Sequence, residues 1–232
     1  MRLTVAILAG GLATRMHPLT ERIPKSLIEV KGDYFICHQL RYLQHQGIKK
    51  VVLCVGHFGE QIEAAIGQGQ AFGLDLHYSW DGENPLGTGG ALKQALPLLG
   101  DTFFVLYGDS YLPIDFRAME HYFYQRSNPA LMAVFKNNNQ WERSNVFFDK
   151  NLILEYNKYH LNLAMEYIDY GLSILSGIEL EKFKANNCFD LAEFFHKVSL
   201  DQKLGGYEVF ERFYEIGSQE GLQEAIKNLP VS

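Results

Sequence analysis

Leu3-Thr4-Val5-Ala6-Ile7-Leu8-Ala9-Gly10-Gly11 is the stretch on which the fold turns. An apolar run containing Val and Ile, closed at once by two glycines, has the pattern of a strand buried on both faces that ends in a tight loop. Strands buried in this way belong to parallel sheets covered by helices. The pattern then repeats. Phe35, Ile36, Leu40 and Leu43 fall at helical spacing ahead of Gly47, a helix stop. A second buried strand is predicted over Lys49 to Val55, a helix over 58–67 and a strand over 74–79. A helix over Thr88 to Leu99 leads to an apolar strand, Phe103 to Tyr107, that ends at Gly108-Asp109. A helix over 115–125 and a strand over 130–136 complete the first half. Strands alternating with helices imply βαβ units, and right-handed crossovers make the α/β fold doubly wound, with a mostly parallel sheet.

The second half reads differently. Residues 144–157 and 166–176 alternate Tyr, Phe and Ile with polar residues and predict extended, antiparallel strands, so the sheet is mixed. Helices are predicted over 178–185 and 190–203, a short strand near 213–216, and a last helix from about Gln219 to Leu229. The Asn137-Asn138-Asn139 break divides residues 1–136 from 137–232 without a linker, so a single domain is expected over 1–232.

The 232 residues carry a formal charge of −6, with 47% apolar and 21% charged residues, a globular balance that can bury a core. No Lys/Arg run is present, so a nucleic-acid partner is not expected. No stretch approaches the length a membrane span needs, and the N-terminal apolar run is too short for a signal peptide. Cys37, Cys54 and Cys188 lack metal-ligand spacing, and reduced, buried thiols are expected. A cytoplasmic location follows as the expectation.

The candidate chemistry starts in Leu8-Ala9-Gly10-Gly11-Leu12-Ala13-Thr14-Arg15-Met16. Ligands of open α/β sheets sit at the carboxyl ends of strands. Two glycines there let amide groups face an anion, and Arg15 adds a forked cationic donor suited to phosphate. Lys25 follows in Ile23-Pro24-Lys25-Ser26-Leu27, its approach stiffened by Pro24. Neither a P-loop nor a G-x-G-x-x-G turn is present. Asp109, at the end of its strand, suits magnesium, the alternative being a turn cap. Gly87-Thr88-Gly89-Gly90-Ala91 is by itself either a close-approach loop or a helix entry.

Taken together, Leu-Ala-Gly-Gly-(x)3-Arg, Pro18-Leu19-Thr20 and Ile-Pro-Lys-Ser-Leu resemble the signature of the sugar-1-phosphate nucleotidyltransferases. Ala13 stands where that family usually has Gly. The resemblance extends through Asn84-Pro85-Leu86-Gly87-Thr88-Gly89-Gly90-Ala91, Gly108-Asp109 and Tyr214-Glu215-Ile216-Gly217. It points to the short bacterial branch, which includes the heptose 1-phosphate guanylyltransferases and the N-acetylmuramic acid 1-phosphate uridylyltransferases.

The resemblance implies a Rossmann-like fold with a small antiparallel sugar-binding portion, 1–136 serving the nucleotide and 137–232 the sugar. It implies transfer of a nucleoside monophosphate from an NTP to a sugar 1-phosphate, with release of pyrophosphate. Arg15 and Lys25 would be catalytic. Leu8, Ala9, Gly10, Gly11, Gly87, Thr88 and Gly89 would hold the nucleotide. Mg²⁺ would sit on Asp109 and on Glu215, which replaces the family's second Asp. Asn157, where relatives often carry Glu, would contact the sugar along with Lys158, Asp169 and Gly171. The Pro85-to-Ala91 stretch leans towards GTP. A chain lacking the long C-terminal β-helix of some relatives would be a monomer or homodimer. Rival readings are the same chemistry on a non-sugar phosphate such as phosphocholine, and a catalytically silent nucleotide-binding regulator. A glycosyltransferase is disfavoured, because Gly108-Asp109-Ser110-Tyr111 has no Asp-x-Asp.

Overall fold

The computed structural model describes residues 3–11, 13–140, 143–160 and 162–230. Leu12 of the first loop and Trp141-Glu142 of the 137–145 break lie outside these residues. The strand β1 (Thr4–Leu8) runs into the Gly10-Gly11 loop, a short ribbon of β2 (Glu29–Val30) and β3 (Asp33–Tyr34), and helix α1 (Phe35–His45). Next come β4 (Lys50–Val55), α2 (Gly59–Ile66), β5 (Asp75–Trp80), α3 (Gly87–Gln94), α4 (Leu96–Leu99) and β6 (Thr102–Tyr107). The two-residue β7 (Ser110–Tyr111), α5 (Phe116–Tyr124) and β8 (Ala130–Lys136) follow. The hairpin of β9 (Val146–Asp149) and β10 (Leu152–Tyr156), then β11 (Tyr167–Ser176), α6 (Gly177–Lys182) and α7 (Leu191–Leu200) lead to β12 (Leu204–Val209), β13 (Tyr214–Glu215) and α8 (Gln219–Asn228).

Nine strands form one sheet in the order β5-β4-β1-β6-β11-β8-β12-β10-β9. The pairs β4–β5, β1–β4, β1–β6 and β8–β12 are parallel. β11 is antiparallel to both β6 and β8, and β10 to both β12 and β9. Only β10 and β11 therefore oppose the other seven, which is the mixed, mostly parallel sheet the sequence predicts. Alternate residues of β1 and β4 feed opposite faces. Val5, Ile7, Val51 and Leu53 join α1, α2 and α5 in one core, while Ala6, Val52 and Cys54 join α3, α4 and α7 in the other. Near-continuous apolar strands are what a sheet covered on both sides requires. A third cluster packs Met16, Ile28, Val30 and Phe35 against Tyr111, Ile216, Leu222, Ala225 and Leu229, seating α8 beneath the Arg15 and Lys25 loops.

Several boundaries depart from the sequence expectation. The helix predicted over 88–99 divides at Ala95 into α3 and α4. The extended segment predicted over 144–157 is a hairpin turning at Lys150 and Asn151, both with positive φ. The helix predicted to reach residue 203 stops at Leu200, and the strand β12 (Leu-Gly-Gly-Tyr-Glu-Val) was not foreseen. Its glycines disfavour a strand by propensity, but β12 is clamped between β8 and β10, and a Cβ on Gly206 would lie 2.4 Å from the Phe148 ring. Cys37 and Cys54 are buried as expected, whereas Cys188 is exposed. No helix among the described residues is long and apolar enough to cross a membrane.

The glycines at the start of α3 are fixed by packing. Gly89 and Gly90 donate to the Phe189 carbonyl, and Phe189 donates to that of Leu86. A Cβ on Gly87, itself at φ +69°, would lie 2.5 Å from Phe189 O, and one on Gly90 would lie 2.3 Å from Asn187 O. In an open helix Gly→Ala stabilises. Here the sign reverses: Gly90→Ala should destabilise the fold by about 1–3 kcal/mol through overpacking, read as a lower midpoint in chemical denaturation.

Candidate active site

Two adjoining cavities open at the carboxyl ends of β1 and β6. The smaller, of about 250 Å³, is lined by Leu8, Ala9, Gly10 and Gly11, by Lys25 and Ser26, by Asp81, and by Gly87, Thr88 and Asp109. The larger, of about 630 Å³, is lined by Arg15, Lys158, Asp169, Gly171, Asp190 and Glu215, among others. Thr88, Tyr107 and Asp109 face both.

The Gly10-Gly11 loop reaches the sheet edge because the Ala9 amide donates to Cys54 O and the Gly108 amide to Leu8 O, holding neighbouring strand ends level. Gly10 is closely packed, since a Cβ there would lie 3.1 Å from Gly56 N. Ala13 adopts φ 51°, ψ 35°, a left-handed conformation that glycine takes freely and that costs alanine on the order of 1 kcal/mol. This explains the glycine of the family pattern. The Thr20 hydroxyl donates to the Ala13 carbonyl and helps to pin the turn. The 3₁₀ turn Thr14–Met16 follows, with Met16 buried and Arg15 exposed towards the larger cavity.

Lys25 opens a second 3₁₀ turn after extended Pro24. Its ammonium lies 2.7 Å from Asp109 Oδ2, both side chains being largely buried. Asp109 Oδ1 accepts from the Ser110 hydroxyl at 3.2 Å. β7 pairs with β13 so that Ser110 stands opposite Glu215, and Ile216 N donates to Asp109 O. That register brings the two predicted metal ligands together across the chain. A Cβ on Gly217 would come within 2.8 Å of Glu215 Oε2, 3.2 Å of Asp109 Oδ2 and 3.5 Å of Lys25 Nζ. A missing side chain thus leaves a cradle between two carboxylates. Hard oxygen donors converging on one point suit a small divalent cation, so the residues fit magnesium. Glu215 also accepts from Gly217 N and from the Ser218 hydroxyl beside α8.

The sugar-side residues divide. Asp169 is half-buried on β11, and burial pushes its carboxyl up to about 6 despite the Gly171 amide, which donates to it at 2.9 Å. Gly171 sits at φ +94° where the β11–β8 register shifts, and this irregularity turns Asp169 into the larger cavity. Lys158 lines the same cavity, 2.8 Å from Asp190 Oδ2. Asn157 lines not this cavity but a neighbouring groove. Its Oδ1 accepts from the amides of Tyr159 and His160, so it shapes the loop that carries Lys158. The groove that Asn157 lines shares Lys158 and Tyr159 with the larger cavity. Thr88 is likewise engaged within the protein: its hydroxyl donates to Asp190 Oδ1 and accepts from Leu191 N.

Three residues of the site escaped the sequence reading. Asp81 follows β5 as Asp109 follows β6, and a carboxylate just past a strand end was the available signal. Burial pushes its carboxyl above the ordinary carboxylate value, and the Leu86 amide offsets this only partly. Ser26, buried at 4% exposure with no partner for its hydroxyl among the described residues, faces the smaller cavity. Asp190 caps α7 and carries no signal in sequence beyond that of a helix start.

Residues 4–145 match the model of the family described as nucleotidyl transferase. The chain is 42% identical over 113 residues to an N-acetylmuramate alpha-1-phosphate uridylyltransferase of Neisseria meningitidis serogroup B, covering 48% of this chain and 49% of that relative. It is 38% identical over 109 residues to a D-glycero-alpha-D-manno-heptose 1-phosphate guanylyltransferase of Campylobacter jejuni, covering 47% and 48%. These matches span about half the length of the curated relatives. The fold resembles that of HddC from Yersinia pseudotuberculosis complexed with GMP-PN, with a TM-score of 0.81, 22% identity, and 97% of this chain and 98% of that one covered. With β1, the Gly10-Gly11 loop, Lys25 and Asp109 all inside the matched residues, the chain belongs to the nucleotidyl transferase family.

Proposed function

We propose that the protein transfers a nucleoside monophosphate from an NTP to a sugar 1-phosphate, forming an NDP-sugar and pyrophosphate. The observation that carries this reading is the Lys25–Asp109 contact at the boundary of two cavities. The smaller cavity draws its lining from residues 8–109 and is read as the nucleotide site. The larger adds residues 143–215, is rich in polar groups, and is read as the sugar site. The names of the relatives that about half of the chain resembles support both assignments.

In this reading the Gly10 and Gly11 amides and Arg15 hold the triphosphate. Lys25 stands between the α-phosphate and the incoming phosphate. An oxygen of the sugar phosphate attacks the α-phosphorus, the bond to the β-phosphate oxygen breaks, and pyrophosphate leaves with the charge. Two anions must be pressed together, so catalysis is chiefly alignment and charge neutralisation. Asp109 and Glu215 would hold Mg²⁺, which when bound neutralises phosphate oxygens. Lys158 meets the sugar phosphate and Asp169 accepts from sugar hydroxyls.

For the base we propose guanine. Asp81 puts an acceptor-only group into the smaller cavity. Guanine offers adjacent N1–H and N2–H donors to a carboxylate, whereas uracil offers one N–H flanked by two carbonyls that would repel it.

Incubation with each NTP, magnesium and a panel of sugar 1-phosphates should release pyrophosphate; nucleotide binding without release from any pair would favour the silent regulator. Lys25→Ala should lower kcat by about 10²-fold or more, in keeping with loss of a charged group that stabilises the transition state, and near-normal turnover would remove Lys25 from the mechanism. Asp81→Asn should cut the preference for GTP over UTP by about 10-fold or more, since loss of a designed polar match is costly; an unchanged ratio of kcat/KM values would refute the base assignment. The half-buried Asp169 carboxyl binds its proton up to about 6, against 3.8 in the unfolded chain. Between these values the native state holds more protons, so stability should fall as pH rises from about 4 to about 6. Denaturation curves for Asp169→Asn should lack that decline.

A further inference from the structure

Asp190 uses its two carboxylate oxygens for different purposes. Oδ1 accepts from Ala192 N at 3.0 Å, capping α7, and from the Thr88 hydroxyl at 2.9 Å. Oδ2 accepts from the Lys158 ammonium at 2.8 Å and from the Tyr159 hydroxyl at 3.3 Å. The cap is already reinforced by Glu193, whose side chain accepts from Asp190 N. Ser, Thr or Asn would serve a helix start as well as Asp, so capping alone does not call for a charge. An anion holds an ammonium more strongly than a neutral acceptor does. Burial acts to raise the Asp190 carboxyl, but the Ala192 amide, Lys158 and Thr88 outweigh it and keep it below the usual carboxylate value.

The Lys158–Asp190 pair is half exposed on the lysine side, and such pairs add little to stability. Orientation is what it supplies. Through Thr88 the same carboxylate is tied to the start of α3, where Gly89 and Gly90 donate to the Phe189 carbonyl next to it in the chain. Lys158 therefore reaches the larger cavity from a support built on the wall of the smaller one.

We propose that Asp190 is a positioning residue that aims Lys158 at the sugar 1-phosphate from an anchor on the nucleotide loop. The proposal rests on the transferase reading and adds to it the group that orients its phosphate-binding lysine. Asp190→Asn keeps the cap and an acceptor for Thr88 while removing the charge beside Lys158. Wild type, Asp190→Asn, Lys158→Met and the double variant form a cycle that isolates the coupling between the two side chains. With the best sugar 1-phosphate from the pyrophosphate assay, Asp190→Asn should raise its KM about 10-fold, a coupling within the range measured for contacting residues. The KM for NTP should stay within about twofold, and in the Lys158→Met background the effect on the sugar phosphate should vanish. Equal rises in both backgrounds, or a lower melting temperature with KM unchanged, would reduce Asp190 to a cap and overturn the proposal. If wild type releases no pyrophosphate with any pair, the transferase reading fails separately. The same cycle is then read by calorimetric binding of glucose 1-phosphate, where additive effects or no binding would overturn the proposal as well.

Discussion

The contact between the Lys25 ammonium and the Asp109 carboxylate ties together parts of the chain 84 residues apart. Each side reaches it by a separate device. Pro24 delivers Lys25 in an extended approach followed by a 3₁₀ turn, while β6, buried from Phe103 to Leu106, delivers Asp109 just past its end. The pair sets opposite charges side by side at the strand ends. Phosphate chemistry needs the same thing: cations and hard oxygens already assembled where charge gathers. The core on both faces of the sheet serves to hold β1 and β6 side by side, so that the two loops leaving them meet.

Much of this was legible in the residues. The apolar runs of β1, β4 and β6 identify a covered parallel sheet, because a strand buried on both faces has no polar side to show. Gly10-Gly11, Arg15, Lys25 and Asp109 are legible because their positions follow strand ends, where α/β sheets keep their ligands. Ala13 is a finer case: the family's glycine implied a backbone angle, and alanine is found holding that angle.

What was not legible depended on distant partners. β12 looks like a loop locally, since its two glycines lack side chains to pack; its place is set by β8, β10 and the Phe148 ring. The glycines of α3 read as either a close-approach loop or a helix entry; that they also admit the backbone of residues 187–189 is set by packing from far along the chain. That Asn157 also folds the loop that follows it, through the Tyr159 and His160 amides, is a further matter of local geometry with no signal in the residue itself. Asp81 and Asp190 acquire their significance from what lies across the cavity, and no local pattern carries that information.

The third hydrophobic cluster bears on how the loops of Arg15 and Lys25 acquire their shape. Met16 and Ile28, which underlie the loops of Arg15 and Lys25, rest on Leu222, Ala225 and Leu229 of the final helical segment. The loops that carry Arg15 and Lys25 are thus floored by the side chains of residues 222–229. Neighbouring sequence alone does not support these two cations; contacts of high sequence separation do, and their reward comes only after a long loop has closed.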